Sequence, residues 1–196
     1  FTSMANQKSY YELGKGTTTY HPFSVAKRSK VQFDITSIGK KHEKVGVYIE
    51  KNVNGRWKKV GYSTTVKPDK YDSIVLYGLE AGKYRLALKT PKDQIINVEY
   101  TRDKSKKKAA YKKSKAINLK SDIDSIYTST EKAARWYKVS VSSTKKRKAV
   151  TLSKDSVGGG FKFRVYQKGK RLKTVRVTKN DKVKTVKLPK KKGTYY

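Results

Sequence analysis

The sequence of 196 residues predicts an all-β protein made of two tandem antiparallel β-sandwich domains. Three observations predict this class. Apolar residues recur at every second position in six separate stretches, which is the period of a strand with one buried face. Asn54-Gly55 and Lys168-Gly169 stand between such stretches and favour two-residue hairpin turns. The best helical candidate, residues 104–115, is mostly charged and lacks an apolar stripe.

The alternating stretches define the expected strands in chain order. Four of them lie in the first half of the sequence, at residues 31–35, 45–49, 84–88 and 96–100. Two more lie in the second half, at residues 137–141 and 161–165. After Gly169 the phase is less clear, because Leu172 and Val175 are three positions apart and so belong to opposite faces. This change of phase indicates a β-bulge.

A basic segment divides these strands into two blocks of about ninety residues. We therefore predict a first sandwich over residues 5–101, a linker over 102–115 and a second sandwich over 116–196. The strand spacing favours a jelly-roll-like or Ig-like arrangement in each. The first four residues are expected to lie outside the first domain.

The two blocks look like copies of one unit. Each has an aromatic entry strand, a Val-Tyr pair before a glycine turn, and a closing segment with leucine, glycine and tyrosine. The closing segments are LEAGKY at 79–84 and LPKKKGTY at 188–195. Glycine permits a tight turn with positive φ, and the tyrosine that follows is expected to enter the core.

Five segments carry a resemblance to a known family. They are HPFSV at 21–25, GLEAGKYRLAL at 78–88, ARWYKVSV at 134–141, FKFRVYQKGKRL at 161–172 and VKLPKKKGTYY at 186–196. On these residues the chain resembles tandem bacterial pre-peptidase C-terminal (PPC-type) domains. The resemblance implies small jelly-roll-like β-sandwiches of exported or cell-surface proteins. It also implies a last strand that continues past GTYY, so the second domain is expected to be truncated there.

Charge is the strongest functional signal. The net charge is +34, and residues 101–196 hold 31 basic and 6 acidic residues. In the second domain basic residues fall opposite the apolar stripe, which predicts a cationic sheet face that attracts a polyanion. The predicted polyanion-binding residues are Lys162, Arg164, Lys168, Lys170, Arg171, Lys173 and Arg176. A surface whose charge serves only solubility is the alternative.

The chemistry of the basic residues bears on the ligand. Lysine outnumbers arginine, and lysine acts as a point charge with little geometric selectivity. The expected partner is therefore an anionic polymer, either teichoic acid or an acidic polysaccharide, while nucleic acid or an anionic membrane surface would bind nonspecifically. Tyr48, Trp57 and Tyr62 are a possible stacking platform for a sugar or a base; packing across the first hairpin is the alternative.

Composition argues against catalysis and metal binding. The chain has no cysteine and two histidines, so thiol chemistry and thiolate metal sites are excluded. His21 and His42 are read as surface or edge residues. Asp122 and Asp124 are read as a solvated loop, because calcium needs six to eight oxygen ligands. We predict no catalytic residue, no metal site and no cofactor.

Together these features predict a non-catalytic extracellular or cell-surface adhesion module that attaches to anionic cell-wall or extracellular polymers. The expected location is outside the cell or on a Gram-positive-type surface. One alternative is an accessory C-terminal domain of a secreted protease or glycosidase. The other is a nucleic-acid binder, although the sequence lacks the motifs of the common nucleic-acid-binding folds. No residue pattern points to a particular oligomeric state.

Overall fold

A computed structural model of the chain describes residues 3–38, 43–68, 73–104, 110–119, 134–153, 160–178, 181 and 183–196. Over these residues the secondary structure consists of strands and one 3-10 turn, Lys113–Lys115, without an α-helix. The predicted all-β sandwich class is therefore confirmed. The described residues divide into two compact units, up to Lys104 in unit 1 and from Ala110 onward in unit 2.

Unit 1 is a sandwich of two four-stranded antiparallel sheets. One sheet has the order β1-β8-β3-β6 and the other β2-β7-β4-β5. The strands are β1 (Lys8–Leu13), β2 (Thr18–Val25), β3 (Ser29–Ile38), β4 (Val45–Val53), β5 (Arg56–Val66), β6 (Ser73–Leu79), β7 (Gly82–Lys89) and β8 (Ile95–Lys104).

The core of unit 1 lies between these two sheets. Val31, Phe33 and Ile35 of β3 point into it and are fully buried. Phe33 contacts Phe23 edge to face at 5.5 Å between ring centroids and stacks near Tyr100 at 5.6 Å. Aromatic side chains bury large areas each, so this cluster supplies much of the burial that a highly charged chain requires.

Both predicted ends of the first domain differ from the structure. Met4 is buried in the core, and its N–H donates to the Pro22 carbonyl at 2.7 Å, so the packed unit begins before residue 5. At the other end β8 continues to Lys104, three residues into the predicted linker. Alternation alone could not show this, because residues 101–104 are polar and gain their order from pairing with β3.

Unit 2 is built from shorter strands. They are β9 (Ile117–Asn118), β10 (Tyr137–Val141), β11 (Ala149–Ser153), β12 (Phe161–Gln167), β13 (Lys170–Val177), β14 (Val183–Lys187) and β15 (Gly193–Tyr195). The pairs β10–β15, β11–β14 and β12–β13 are antiparallel, whereas β9 runs parallel to β10. Tyr166 and Tyr196 exchange two backbone hydrogen bonds of 2.8 and 2.9 Å, which join β12 to the end of β15.

The predicted repeat is visible in the strand pairing. The order β10-β15-β12-β13 repeats β2-β7-β4-β5, and the pair β11–β14 repeats β3–β6. Both closing tyrosines are buried and donate to the carbonyl four residues before them, Tyr84 to Glu80 at 2.9 Å and Tyr195 to Lys191 at 2.8 Å. The repeat therefore extends to individual hydrogen bonds.

Both hairpins close as the sequence predicted. Asn54 and Gly55 have φ angles of 52° and 81°, and Lys168 and Gly169 have 46° and 78°. Two successive positive φ angles define the turn that matches the twist of paired strands, and asparagine and glycine adopt it readily. Lysine does so less readily, so the second turn depends more on the pairing of its strands.

Candidate functional site

The register between β12 and β13 places four of the predicted polyanion-binding residues on one face of the hairpin. Lys162 on β12 stands opposite Arg176 on β13, and two residues further along β12 comes Arg164. Beyond a bulge, Tyr166 stands opposite Arg171. Because opposed residues share a face and alternate residues return to it, Lys162, Arg164, Arg171 and Arg176 lie on one side of the hairpin. All four are exposed, and we call them the basic face.

The other three predicted residues do not belong to this face. Lys173 stands opposite the buried Val165, and Lys170 stands opposite Gln167, so both lie on the other side of the hairpin. Lys168 occupies the turn. The cause is the bulge at Leu172, where one extra residue on β13 reverses the alternation. Leu172 is consequently 46% exposed.

The charge of unit 2 is almost uncompensated. In its described residues Asp181 is the one acid, against 21 lysines and arginines. Asp181 accepts hydrogen bonds from the Thr178 hydroxyl at 2.7 Å and from the Lys184 ammonium at 2.9 Å. These bonds, the Thr178 contacts first, lower the pKa of Asp181 to about 2. Within the described part of the chain, no basic-face side chain forms an ion pair.

Aromatic rings lie beside the basic face, and the sequence analysis did not select them. Tyr196 is bonded to Tyr166 through the backbone, so the two residues share the side of Arg171. The Trp136 ring lies 5.6 Å from the Tyr166 ring, and the Lys113 ammonium lies 4.5 Å from the Tyr196 ring. The sequence feature that could have identified Tyr166 is the Val-Tyr pair found in both blocks, which puts a tyrosine at the same outward position in each.

The predicted stacking platform does not form as one group. Tyr62 packs against the core of unit 1, stacks on Tyr77 at 4.8 Å and donates its hydroxyl to the Leu76 carbonyl at 2.7 Å. It therefore serves packing and not a surface site. Burial raises the pKa of Tyr77 well above its usual range, as expected for a phenol enclosed by this cluster.

Tyr48 and Trp57 do share the outer side of their sheet, but this protein's own cations cover their rings. The Arg85 guanidinium lies 4.6 Å from the Trp57 ring, and Glu50 holds it with an ion pair of 2.6 Å. The Lys59 ammonium lies 4.3 Å from the Tyr48 ring. A hydrogen bond with Tyr20 and partial burial raise the pKa of Tyr48 to about 12. These contacts favour the packing alternative.

The described residues include one histidine, His21, which lies on β2 at the edge of its sheet. Its Nε2 atom lies 2.8 Å from a carboxylate oxygen of Glu12, which also accepts the Thr19 hydroxyl at 2.8 Å, so His21 is a partly buried, hydrogen-bonded residue of the edge strand. Among the described residues there is no group of three or more potential metal ligands, and no helix long and apolar enough to span a membrane. His42, Asp122 and Asp124 lie outside the described residues.

Fold and site define a class: a tandem antiparallel β-sandwich protein with a cationic face on its second unit. No family model matches the chain, and no curated protein matches its sequence. One similar solved structure is described as "CBM4 structure and function". It is 10% identical, the match covers 50% of this chain and 74% of that chain, and the TM-score is 0.35. At this identity and TM-score, the likeness supports no argument about function.

Proposed function

We propose that this protein is a non-catalytic binding module that attaches to an anionic polymer, a teichoic acid or an acidic polysaccharide, through the basic face of unit 2. The observation that carries this proposal is the register of β12 and β13, which aligns four exposed cations on one side. A position on the cell surface or in the extracellular medium is part of the proposal. Its support is the resemblance to PPC-type domains.

The geometry of the basic face suits a repeating polyanion. Alternate residues of a strand are roughly 7 Å apart and neighbouring strands about 5 Å apart, so the cations form a grid on that scale. A flexible polymer with an anionic group in each repeat can contact several of them at once, and each contact releases condensed counterions.

Arginine is concentrated on this face. Three of its four members, Arg164, Arg171 and Arg176, are arginines, although lysine predominates in the chain. The guanidinium fork binds carboxylate and phosphate groups with two parallel hydrogen bonds, which an ammonium cannot do. Tyr166 on the same side offers a ring on which a sugar can stack. These features favour a carboxylated or phosphorylated glycan polymer.

A charge-matched pair of variants tests the proposal. The first carries Lys162→Gln, Arg164→Gln, Arg171→Gln and Arg176→Gln. The control carries Lys145→Gln, Lys146→Gln, Arg147→Gln and Lys190→Gln, which remove the same charge from exposed positions elsewhere in unit 2. Binding to purified teichoic acid and to polygalacturonate is measured from about 50 to about 400 mM salt, with neutral dextran as the ligand control.

The salt dependence separates the outcomes. Four lost contacts should reduce the slope of log K against log salt by about 3, and the control variant should retain nearly the wild-type slope. Equal losses in the two variants would mean that total charge matters and the basic face does not. Stronger binding of single-stranded DNA than of either polymer at physiological salt would favour the nucleic-acid reading instead.

A further inference from the structure

The outer face of one sheet of unit 1 carries a group of exposed apolar side chains. Among the described residues eight large hydrophobic side chains are exposed, and five of them lie on the outer side of the sheet β1-β8-β3-β6. They are Tyr11, Leu13, Ile38, Ile74 and Ile95. Single exposed apolar residues are ordinary, whereas a group of them on one face marks an interaction surface.

Strand register brings four of these side chains together. Leu13 on β1 stands opposite Ile95 on β8, which stands opposite Ile38 on β3, so three aliphatic side chains form a row across three strands. Tyr11 lies in the next outward row, opposite Asn97, and is 67% exposed. We call Tyr11, Leu13, Ile38 and Ile95 the apolar patch.

Charged residues of opposite sign flank the apolar patch. One row beyond Tyr11, Glu99 stands directly opposite Asp34, which gives this acidic side a charge of −2. Beyond the aliphatic row, on the opposite side, lie three exposed charged residues, Lys15, Lys92 and Asp93. Two lysines and one acid give this lysine side a charge of +1. The face is therefore apolar in the middle and dipolar along its strands.

A two-fold axis through the apolar patch makes this face complementary to itself. In such a contact a residue i of one copy meets residue j of the other, and j meets i. An axis perpendicular to the sheet between Ile95 and Asn97 of β8 lays β1 of one copy over β3 of the other, so that Tyr11 faces Ile38. The same axis lays the lysine side of each copy over the acidic side of the other.

Net charge limits where two copies of this chain can meet. At +34, most pairs of surfaces would bring unpaired cations together, and such contacts are repulsive. The outward residues that the structure describes on β1, β8, β3 and β6 include one cation, Lys30, and it pairs with Asp103 at 3.4 Å. Two copies can therefore approach through this face without contact between free cations.

We propose that the outer face of the β1-β8-β3-β6 sheet is the interface of a symmetric dimer, in which it packs against the same face of a second copy of this chain. The basic face lies on other strands, β12 and β13, so the proposal does not depend on polymer binding. Four strands about 5 Å apart and about eight residues long give roughly 500 Å² per copy. About 1,000 Å² in total is at the low end for a specific interface, so we expect a reversible dimer.

Matched serine variants of the full chain test the location. One carries Leu13→Ser and Ile95→Ser, and the control carries Leu172→Ser and Val183→Ser, which remove similarly exposed apolar side chains from unit 2. Sedimentation equilibrium at about 300 mM salt, where the Debye length is about 6 Å, gives the dimer dissociation constants. The first variant should dissociate at least about tenfold more readily, because each side chain enters a symmetric contact twice, and the control should remain within about twofold of the wild type.

Two results would overturn the dimer or its location. A wild-type chain that stays monomeric up to about 1 mM, where a specific interface of this size should associate, overturns the dimer. Equal dissociation constants for the two serine variants overturn the location.

Charge exchange tests the symmetry. One variant carries Lys15→Glu and Lys92→Glu, a second carries Asp34→Lys and Glu99→Lys, and a third carries all four changes. The first two place like charges across the axis and should weaken the dimer at least about fivefold, whereas the third restores unlike charges and should recover the wild-type constant within about twofold. Recovery in the third variant also shows that the substituted sheet remains folded.

A head-to-tail contact gives a different result. If the acidic side instead bound the basic surface of unit 2 in a second copy, the first variant would associate more strongly and species larger than a dimer would form. Failure of the fourfold variant to recover would likewise overturn the symmetric contact.

Salt separates this contact from polymer binding. Raising the salt from about 100 to about 500 mM screens the repulsion between two highly charged copies and should strengthen the dimer, whereas attachment to a polyanion should weaken. A dimer that dissociates as salt is added would overturn the apolar contact. Because no polymer is present in these measurements, either failure would leave the proposed function unchanged.

Discussion

Unit 1 and unit 2 share the order of six strands but are stabilised differently. In the described residues of unit 1, nineteen buried residues form one core cluster, whereas the core cluster of unit 2 has five buried members. The strands of unit 2 are also shorter. Strand order can therefore be retained while the buried apolar area falls, provided that the hairpin turns and the closing tyrosine remain.

The two units also differ in how far their charges are paired. In unit 1 several acids meet cationic partners, as in the Arg85–Glu50 pair at 2.6 Å and the Lys30–Asp103 pair at 3.4 Å. In the described part of unit 2 the corresponding pair is Lys184–Asp181. A net charge far from zero destabilises a compact state through self-repulsion. The unit with the smaller core therefore also carries more of this repulsion.

The largest expected effect is a difference between two core substitutions. Phe33→Ala removes a fully buried ring in unit 1 and should lower the free energy of unfolding by about 3–5 kcal/mol. Phe163→Ala removes a half-buried ring in unit 2 and should cost less than half as much. Each unit has one tryptophan, Trp57 or Trp136, so fluorescence unfolding in a Trp→Phe background of the other follows each unit alone.

The comparison would fail if the two substitutions cost the same, because burial would then not distinguish the cores. A matched control is Leu172→Ala. Its side chain is 46% exposed at the bulge, so the substitution should change the stability of unit 2 by less than about 0.5 kcal/mol.

The second effect is a response to salt that should be larger in unit 2 than in unit 1. Raising the salt from about 20 to about 500 mM shortens the Debye length from roughly 20 Å to about 4 Å and screens repulsion among the basic residues of unit 2. Its unfolding midpoint should rise by about 5 °C, which corresponds to about 1 kcal/mol in a domain of this size. The midpoint of unit 1, read from Trp57, should shift by less than half of this. A larger shift in unit 1 would contradict the charge comparison.

How far the sequence predicts the structure depends on whether the information is local. Alternation and turn residues were sufficient for the strands that carry them, as at Phe33, Val165 and Gly169. They were insufficient where order comes from a partner strand, as in the last residues of β8. They also could not assign Met4 to the core, since a single buried residue before a strand has no period.

The candidate site was predictable in composition but not in geometry. The charge of unit 2 follows from the sequence, yet the bulge at Leu172 determines which cations share a face. The sequence indicated a bulge without showing that it separates Lys170 and Lys173 from the rest. The covering of Trp57 by Arg85 depends on a cross-strand contact, which sequence spacing does not reveal.

The smallest expected effect is acid titration of Asp181, the one acid among the described residues of unit 2. Its pKa in the folded protein is about 2, below the ordinary value near 3.9, so its stabilising contribution is present above about pH 4 and is lost as the pH falls through about 2. The Asp181 carboxyl carbon resonance, followed by NMR, should titrate near pH 2.

Two variants relate this titration to its cause. In Thr178→Val, which removes the hydroxyl bond to Asp181, the midpoint should move towards 3.9. Asp181→Asn should lower the unfolding midpoint of unit 2 slightly at pH 5, and this difference should shrink below pH 2, where the wild-type carboxyl is also neutral. Because the Asp181 side chain remains partly exposed to solvent, added salt should reduce the same difference while it stabilises unit 2 as a whole. If salt enlarged the difference, local pairing and overall repulsion would not be separable in unit 2.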